Sequence, residues 1–207
     1  NWMTNMAAML VADKGSSTSL KNRMGPAPSM RAASTNSSGT VMKNCRNKKV
    51  AVAEAITNLL AAPITLDKVK LSANWMAACG EPGEDADLYD TVKAVAMDLC
   101  PALGIAIPVG KDSLSMKAQW KDKHQSHRVT SPVSLIVSAF ASLSDVRGHF
   151  TPQLNRAEID TSLVLIDLGR GKQRMGGSVL AQITDQAGGE VPDLDDPQDL
   201  VRLVSAI

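Results

Sequence analysis

The fold is decided by residues 69–109, which read VKLSANWMAACGEPGEDADLYDTVKAVAMDLCPALGIAIPV. Apolar and polar residues alternate over Val69–Trp75, and this period of two predicts a half-buried strand. A turn at Gly80–Gly83 precedes a helix predicted over Asp87–Ala102, for which Asp87 is the expected cap. The short apolar run Ile105–Val109 predicts a second strand that ends at Gly110. Strand, helix and strand in succession indicate a mixed α and β class.

Similar patterns continue on both sides of this stretch. Helix formers fill Val50–Ala62, and Pro63 is expected to stop the helix. Polar residues Lys121–Arg128 are predicted to form a loop, and we expect a domain boundary near residues 121–132. The remaining predicted elements are strands over Leu114–Trp120, Val133–Leu143 and Leu163–Leu168, and a helix opened by Gly176–Ser178 that runs to Gln186.

The chain changes character at residue 50. Residues 1–49 carry eight Lys or Arg and one acid, Asp13, whereas 14 basic and 20 acidic residues follow, so local net charges of +7 and −6 lie behind the overall +1. Residues 14–49 are rich in Gly, Pro, Ser and Asn and show neither helical nor strand periodicity, which predicts loop or disorder. A basic segment of this kind is also compatible with a nucleic-acid arm, but it lacks interleaved aromatic residues and any nucleic-acid motif.

Composition narrows the class of protein. The chain is 44% hydrophobic and 21% charged, and no stretch approaches the roughly 18 apolar residues of a membrane span. Its three cysteines are odd in number and have no metal or redox spacing, so a reducing, cytoplasmic setting is expected. Because position 1 is Asn and residues 199–207 read as an unfinished amphipathic helix, we expect a fragment of a longer protein.

Three groups of residues carry candidate chemistry. Glu54 and Asn58, at i and i+4 on the first helix, present two oxygens on one face, which suits a hard cation such as Mg²⁺, although from the residues alone a solvated helix surface is the simpler interpretation. Gly110-Lys111-Asp112-Ser113 follows a predicted strand, where ligands of α/β sheets bind, although a plain tight turn is the simpler interpretation. Gly176–Ser178 offers either an anion site or an ordinary helix N-cap. His124 and His127 have no third ligand in sequence, and a solvated loop is the simpler interpretation.

Longer strings in this order resemble the phosphoribosylformylglycinamidine synthase family. The resemblance is carried by AEAITNLLAA (53–62), KLSANWMAACGEPGEDADLYDTVKAV (70–95), LCPALGIAIPVGKDSLSMK (99–117) and TSPVSLIVSAFA (130–141), and continues in TPQL (151–154) and LVLIDLG (163–169). The resemblance implies an α+β fold that forms part of an aminoimidazole-ribonucleotide-synthetase-like two-part unit. Residues 50–128 would form the N-terminal-type α+β half and residues 129–207 the beginning of the C-terminal-type α/β half.

The family's chemistry is an ATP-dependent amidation. The resemblance implies that ATP phosphorylates the amide oxygen of formylglycinamide ribonucleotide, and that ammonia released from glutamine then displaces the phosphate. Mg²⁺ is the expected cofactor beside ATP, with Asp13, Glu54 and Asn58 matching the family's metal ligands and Ala12 lying against the nucleotide. Lys111, Asp112 and Ser113 are further candidates for nucleotide contact.

The resemblance also implies partners that this sequence does not contain. They are a first synthetase copy and a glutaminase domain, while no membrane partner and no nucleic acid is expected. Between Asp13 and Val50 the sequence departs from the family pattern. Two alternatives to a ligase component therefore stay open, namely a catalytically inactive fragment and, as the weakest, a nucleic-acid-binding module formed by the basic N-terminal segment.

Overall fold

The computed structural model describes residues 48–123, 125–153, 162–185 and 189–207. Its helices are α1 (Lys49–Leu59), a 3₁₀-helical turn (Leu66–Lys68), α2 (Glu84–Val92), a π-helical segment (Lys93–Leu99), α3 (Cys100–Leu103), α4 (Val179–Ile183) and α5 (Pro197–Ala206). Its strands are β1 (Lys70–Met76), β2 (Ala106–Ser113), β3 (Lys117–Lys121), β4 (Ser126–Thr130) and β5 (Ser134–Phe140). In the described ranges, no helix is both long enough and apolar enough to cross a bilayer.

A three-stranded mixed sheet, in the order β2-β1-β5, forms the centre of the fold. β2 runs parallel to β1 because the helical stretch from Glu84 to Leu103 carries the chain back across, whereas β5 is antiparallel to β1. β3 and β4 form a separate two-stranded ribbon beyond the end of β2. This arrangement confirms the predicted α+β class.

The two faces of the sheet differ because side chains alternate along each strand. Leu71 and Ala73 of β1 are buried, and their register partners on β5, Ala139 and Val137, pack against the same core. The opposite face is open, and Ile136 of β5 is 55% exposed there. One face therefore packs under helices while the other carries exposed apolar side chains, which are Val109, Ile136 and Phe140.

The core joins early and late parts of the chain. α1 contributes Val52, Ala53 and Ile56, and the π-helical segment contributes Val95 and Leu99. Two residues from the C-terminal end complete it: Leu194 is 2% exposed and Leu200 of α5 is fully buried. Both late leucines thus belong to the same hydrophobic cluster as the sheet and α1.

Helix α2 begins earlier than the sequence predicts. Gly83 is its N-cap with φ of 87°, a left-handed conformation that glycine adopts without steric cost, and Glu84 is the first helical residue. The expected cap, Asp87, instead lies inside the first turn, and its N–H donates to the Gly83 carbonyl. The acids Glu84, Asp85 and Asp87 then sit at the positive end of the helix dipole, where negative charge is favourable.

Three further expectations are wrong. The predicted strand Leu163–Leu168 has no strand pairing among the described residues, and its apolar side chains Leu163–Ile166 are exposed. A strand needs a neighbour to hydrogen-bond, so an apolar run alone does not make one. The predicted loop Lys121–Arg128 is too long, because β3 ends at Lys121 and β4 already starts at Ser126. Gly110 does not end its strand, because β2 continues to Ser113.

The expected boundary between residues 128 and 129 falls inside β4, between Arg128 and Val129. The next strand, β5, lies beyond it and pairs along its whole length with β1, which lies before it. Residues on both sides therefore share one sheet. The division of the chain into two halves stays a prediction.

Candidate functional site

The metal candidates Glu54 and Asn58 lie on α1, one turn apart, as their spacing predicts. The buried residues of this helix are Val52, Ala53 and Ile56, so helical geometry places Glu54 and Asn58 on the opposite side. Glu54 is half-buried and Asn58 is exposed. Among the described residues, neither side chain forms a hydrogen bond or an ion pair.

Two oxygen donors that face away from the core fit a hard cation. Mg²⁺ takes oxygen ligands, usually keeps several waters, and is commonly held by one or two carboxylates together with phosphate. Asp13 and Ala12, the other two residues suggested by the resemblance, lie outside the described residues. In the part of the chain that the structure describes, no three His, Cys, Asp or Glu side chains converge in a metal-binding group.

The nucleotide candidates Lys111, Asp112 and Ser113 form the last three residues of β2, so they do not belong to a turn. Their register partners on β1 are Asn74, Trp75 and Met76. Strand alternation places Asp112 on the face of Trp75, which packs against the core, and places Lys111 and Ser113 on the open face. Lys111 and Asp112 are exposed, and Ser113 is half-buried.

The structure does not bring these two groups together. α1 packs against β5, and β1 lies between β5 and β2 in the sheet. No hydrogen bond or ion pair joins either Glu54 or Asn58 to Lys111–Ser113 within the described ranges. A ligand that touches both groups would have to bridge this gap.

Carboxylates gather where β1 and β2 end. Burial, a hydrogen bond with Asp85 and the charges of Asp85, Asp112 and Glu84 together raise the pKa of the Cys79 thiol, with burial as the largest cause. Asp85 also accepts hydrogen bonds from the Gly80 N–H, at 3.1 Å to Oδ1. Asp112 therefore lies close enough to Cys79 for its charge to oppose ionisation of the thiol.

Gly176–Ser178 has a structural explanation. Ser178 is 2% exposed, and its hydroxyl oxygen accepts a hydrogen bond from the Ala181 N–H at 3.1 Å, which is the geometry of an N-cap on α4. A Cβ on Gly176 would lie 2.5 Å from the carbonyl oxygen of Gly189. Glycine is therefore required for backbone packing, and the interpretation of these residues as an ordinary cap is the one that the geometry supports. α4 ends at Ile183, and Gln186 lies outside the described residues.

Of the two histidines, His127 lies within the described residues. His127 Nε2 lies 2.7 Å from Asp122 Oδ2, and its ring stacks on Trp120 with centroids 5.2 Å apart. His124 lies outside the described residues. The contacts of His127 are those of a surface hairpin.

Sequence reasoning missed a contact centred on Val133. Its backbone N–H donates to Glu84 Oε2 at 3.1 Å, and its carbonyl oxygen accepts from Lys48 Nζ at 2.6 Å. Glu84 is 8% exposed, and a carboxylate is rarely buried unless it is paired. The cluster of acids after Gly83 indicates the start of a helix. It does not indicate which of these acids is buried.

A mixed sheet with helices packed on one face makes the protein an α+β domain, which is consistent with the PurM-like class. The family model described as FGAR-AT PurM_N-like domain matches residues 2–142, about two thirds of the chain. The chain belongs to this family, whose members are ligases of purine biosynthesis. The match confirms the family resemblance, and its range includes the divergent residues 14–49.

Proposed function

We propose that the chain contributes Mg²⁺ and nucleotide-binding residues to an ATP- and glutamine-dependent carbon–nitrogen ligase. The reaction is the conversion of formylglycinamide ribonucleotide to formylglycinamidine ribonucleotide. The observation that carries the proposal is the pair Glu54 and Asn58, which lies in the matched range and faces away from the core without a partner among the described residues. The setting proposed for this activity is the cytoplasm.

The chemistry divides between the substrates and the residues of the chain. In the proposed reaction the amide oxygen attacks the γ-phosphorus of ATP and ADP leaves. Ammonia, supplied by the glutaminase domain from glutamine, then adds to the activated carbon, and the phosphate departs. A bound Mg²⁺ would neutralise phosphate charge, which is the main demand of phosphoryl transfer. Glu54 and Asn58, with Asp13, would hold that ion.

The groups at the end of β2 have a separate role in the proposal. Lys111 is exposed on the open face and would pair with phosphate oxygens as a point charge. Ser113 offers a hydroxyl beside it, and Ala12 would contact the nucleotide. Because these residues and α1 are separated by β1, we propose that the nucleotide spans the gap and that the first synthetase copy completes the walls.

Calorimetric titration of the 207-residue chain with ATP in the presence of Mg²⁺ tests this proposal. We expect micromolar binding that Glu54→Ala and Asn58→Ala each weaken by about tenfold or more, since even outer-shell partners of metals are worth 10–100-fold. Asp90→Ala serves as the control for Glu54→Ala, because Asp90 is an exposed acid on helix α2 and its loss changes the net charge by the same amount. Equal weakening by Glu54→Ala and Asp90→Ala would point to a general charge effect and count against the site.

The second candidate is a catalytically inactive chain with no independent function. The separation of α1 from the end of β2 favours it, because a catalytic site needs its groups preorganised. Absence of binding heat, together with a thermal melt that lacks a cooperative transition, would support this candidate and overturn the first. Binding of generic RNA or DNA that weakens steeply with salt would instead indicate the nucleic-acid alternative.

A further inference from the structure

The backbone N–H and the backbone carbonyl of Val133 both form hydrogen bonds with charged side chains. Glu84 Oε2 accepts its N–H at 3.1 Å, and Lys48 Nζ donates to its carbonyl oxygen at 2.6 Å. Val133 is 7% exposed and Glu84 is 8% exposed, so the contact with Glu84 is shielded from water. Hydrogen bonds to charged groups are stronger than neutral ones, and shielding increases the cost of losing them.

The three residues connect three elements of the fold. Glu84 is the first residue of α2, Lys48 directly precedes α1, and Val133 directly precedes β5. The first residue of β5, Ser134, pairs with Met76 at the end of β1, and Met76 pairs with Ser113 at the end of β2. The Val133 contact therefore lies between the helix that carries Glu54 and Asn58 and the strand ends that carry Lys111, Asp112 and Ser113.

We propose that Glu84 and Lys48 are positioning residues that set α1 against the strand ends, so that the metal and nucleotide residues act on one ligand. This inference rests on the proposed function, since it concerns the same site. Neither residue needs to touch the ligand. Removal of the Glu84 carboxylate would leave the buried Val133 N–H without its acceptor, and the start of β5 would shift to satisfy it.

The diagnostic quantity is the coupling between metal and nucleotide. It is measured as the ratio of the ATP dissociation constants without and with Mg²⁺, determined by titration of the 207-residue chain. Glu84→Met keeps the side-chain length, Lys48→Met nearly keeps it, and both remove the polar group. We expect each to reduce this ratio by about fivefold or more, the scale of ordinary coupling between two sites.

Conservative variants provide matched controls. Lys48→Arg keeps a cationic donor, and Glu84→Gln keeps a carbonyl acceptor for the Val133 N–H, so both should retain most of the coupling. If Glu84→Met does not fold, Lys48→Met still tests the proposal, because it leaves the buried Glu84 in place. Melting curves of every variant accompany the titrations.

A purely structural role predicts a different result. In that case the Met variants would lower the melting temperature and weaken ATP binding by the same factor with and without Mg²⁺, and the inference would be overturned. If the unmodified chain binds ATP with a Mg²⁺ dependence that Glu54→Ala removes, while both Met variants keep the full ratio, the positioning role alone fails. If the unmodified chain shows no Mg²⁺-dependent binding, the proposed function fails and the positioning role falls with it.

Discussion

Arg174 donates hydrogen bonds to Asp195 and to the backbone of Asp193, and so connects the loop before α4 to the residues before α5. Nη1 of Arg174 lies 3.0 Å from Asp195 Oδ1, and its Nη2 donates to the carbonyl oxygen of Asp193 at 2.8 Å. The Arg174 side chain is only 10% exposed. Leu194, between the two acids, is 2% exposed and belongs to the core. The guanidinium therefore contacts the residues on both sides of the buried Leu194.

We expect Arg174→Leu to lower the melting temperature by about 2–6 °C, because a shielded guanidinium loses hydrogen bonds to a carboxylate and a carbonyl. Arg202→Leu is the comparison, since Arg202 pairs with Asp196 and Asp199 but its side chain is 64% exposed. Exposed ion pairs contribute little, so this change should move the melting temperature by less than about 2 °C. Thermal melts at low ionic strength measure both, and equal shifts would contradict the special role of Arg174.

The carboxyl groups of Asp195 and Asp199 should make the free energy of unfolding fall at low pH. Hydrogen bonds from Lys172 and then Arg174 lower the pKa of Asp195, and a hydrogen bond from Arg202 is the largest cause that lowers the pKa of Asp199. A carboxyl whose folded pKa lies below its unfolded value of about 3.9 stabilises the fold fully above that value. This contribution is lost as the pH falls through the folded pKa.

Melting temperatures measured between pH 7 and pH 2 check this expectation. Asp195→Asn should flatten the loss below about pH 4, because the titrating group is gone. Asp193 should act in the opposite sense, since burial raises its pKa and its protonation on acidification favours the folded state. Asp193→Asn should therefore steepen the loss, and a flatter profile in that variant would contradict the assignment.

The elements with strong local signals are the ones that sequence predicts well. Alternation located β1 to within one residue at each end, and the helix signal at residues 50–62 found α1. The prediction of a strand over Leu163–Leu168 was wrong, because an apolar run does not show whether a neighbouring strand is present to pair with it. Gly110 was misplaced as a strand end because a glycine also occurs inside strands.

The site was only partly accessible from sequence. The one-turn relation between Glu54 and Asn58 follows from helix geometry alone. The burial of Glu84 depends on Val133, which lies 49 residues later, and no local pattern contains that information. Long-range contacts of this kind appear only when the strands are assembled.

The difference between the two sheet faces gives a prediction about stability. Leu71 is 1% exposed in the core, whereas Ile136 is 55% exposed on the open face. Leu71→Ala should lower the free energy of unfolding by about 3–5 kcal/mol, the usual cost of such a truncation in a packed core. Ile136→Ala should cost less than about 1 kcal/mol, because little apolar surface returns to water. Urea unfolding measures both, and similar losses would mean that the open face is covered.

Two glycines offer a matched pair. At Gly176 a Cβ would meet the backbone carbonyl oxygens of Gly189 and Glu190 at 2.5 and 2.7 Å, whereas at Gly110 nothing lies within 4 Å. Gly176→Ala should therefore destabilise the protein by about 1–3 kcal/mol, since backbone atoms must move apart. Gly110→Ala should be neutral or stabilising by up to about 1 kcal/mol, because the unfolded chain loses freedom. Destabilisation by Gly110→Ala would show that the end of β2 is more crowded than the structure has it.

The pKa of the Cys79 thiol depends on the negative charges near the ends of β1 and β2, and the charge of Asp112 is one of them. A measurement of this pKa therefore tests the position of Asp112. In a Cys45→Ser, Cys100→Ser background, only Cys79 can react with iodoacetamide, and the thiolate is the reactive form. Since burial and then Asp85 raise the Cys79 pKa, alkylation should rise with pH later than for an ordinary thiol. Asp85→Asn and Asp112→Asn should each move the pH profile downward, because each removes a negative charge that opposes ionisation.

Asp90→Asn is the control for this experiment, because Asp90 is exposed on α2 and does not contribute to the Cys79 pKa. An Asp112→Asn profile that coincides with that control, while Asp85→Asn shifts, would place Asp112 away from the α2 N-terminus. The β2 candidates would then be further from the Glu84–Val133 contact than the strand register requires. A shift in both variants would show that Asp85 and Asp112 both lie close to Cys79, as the strand register requires.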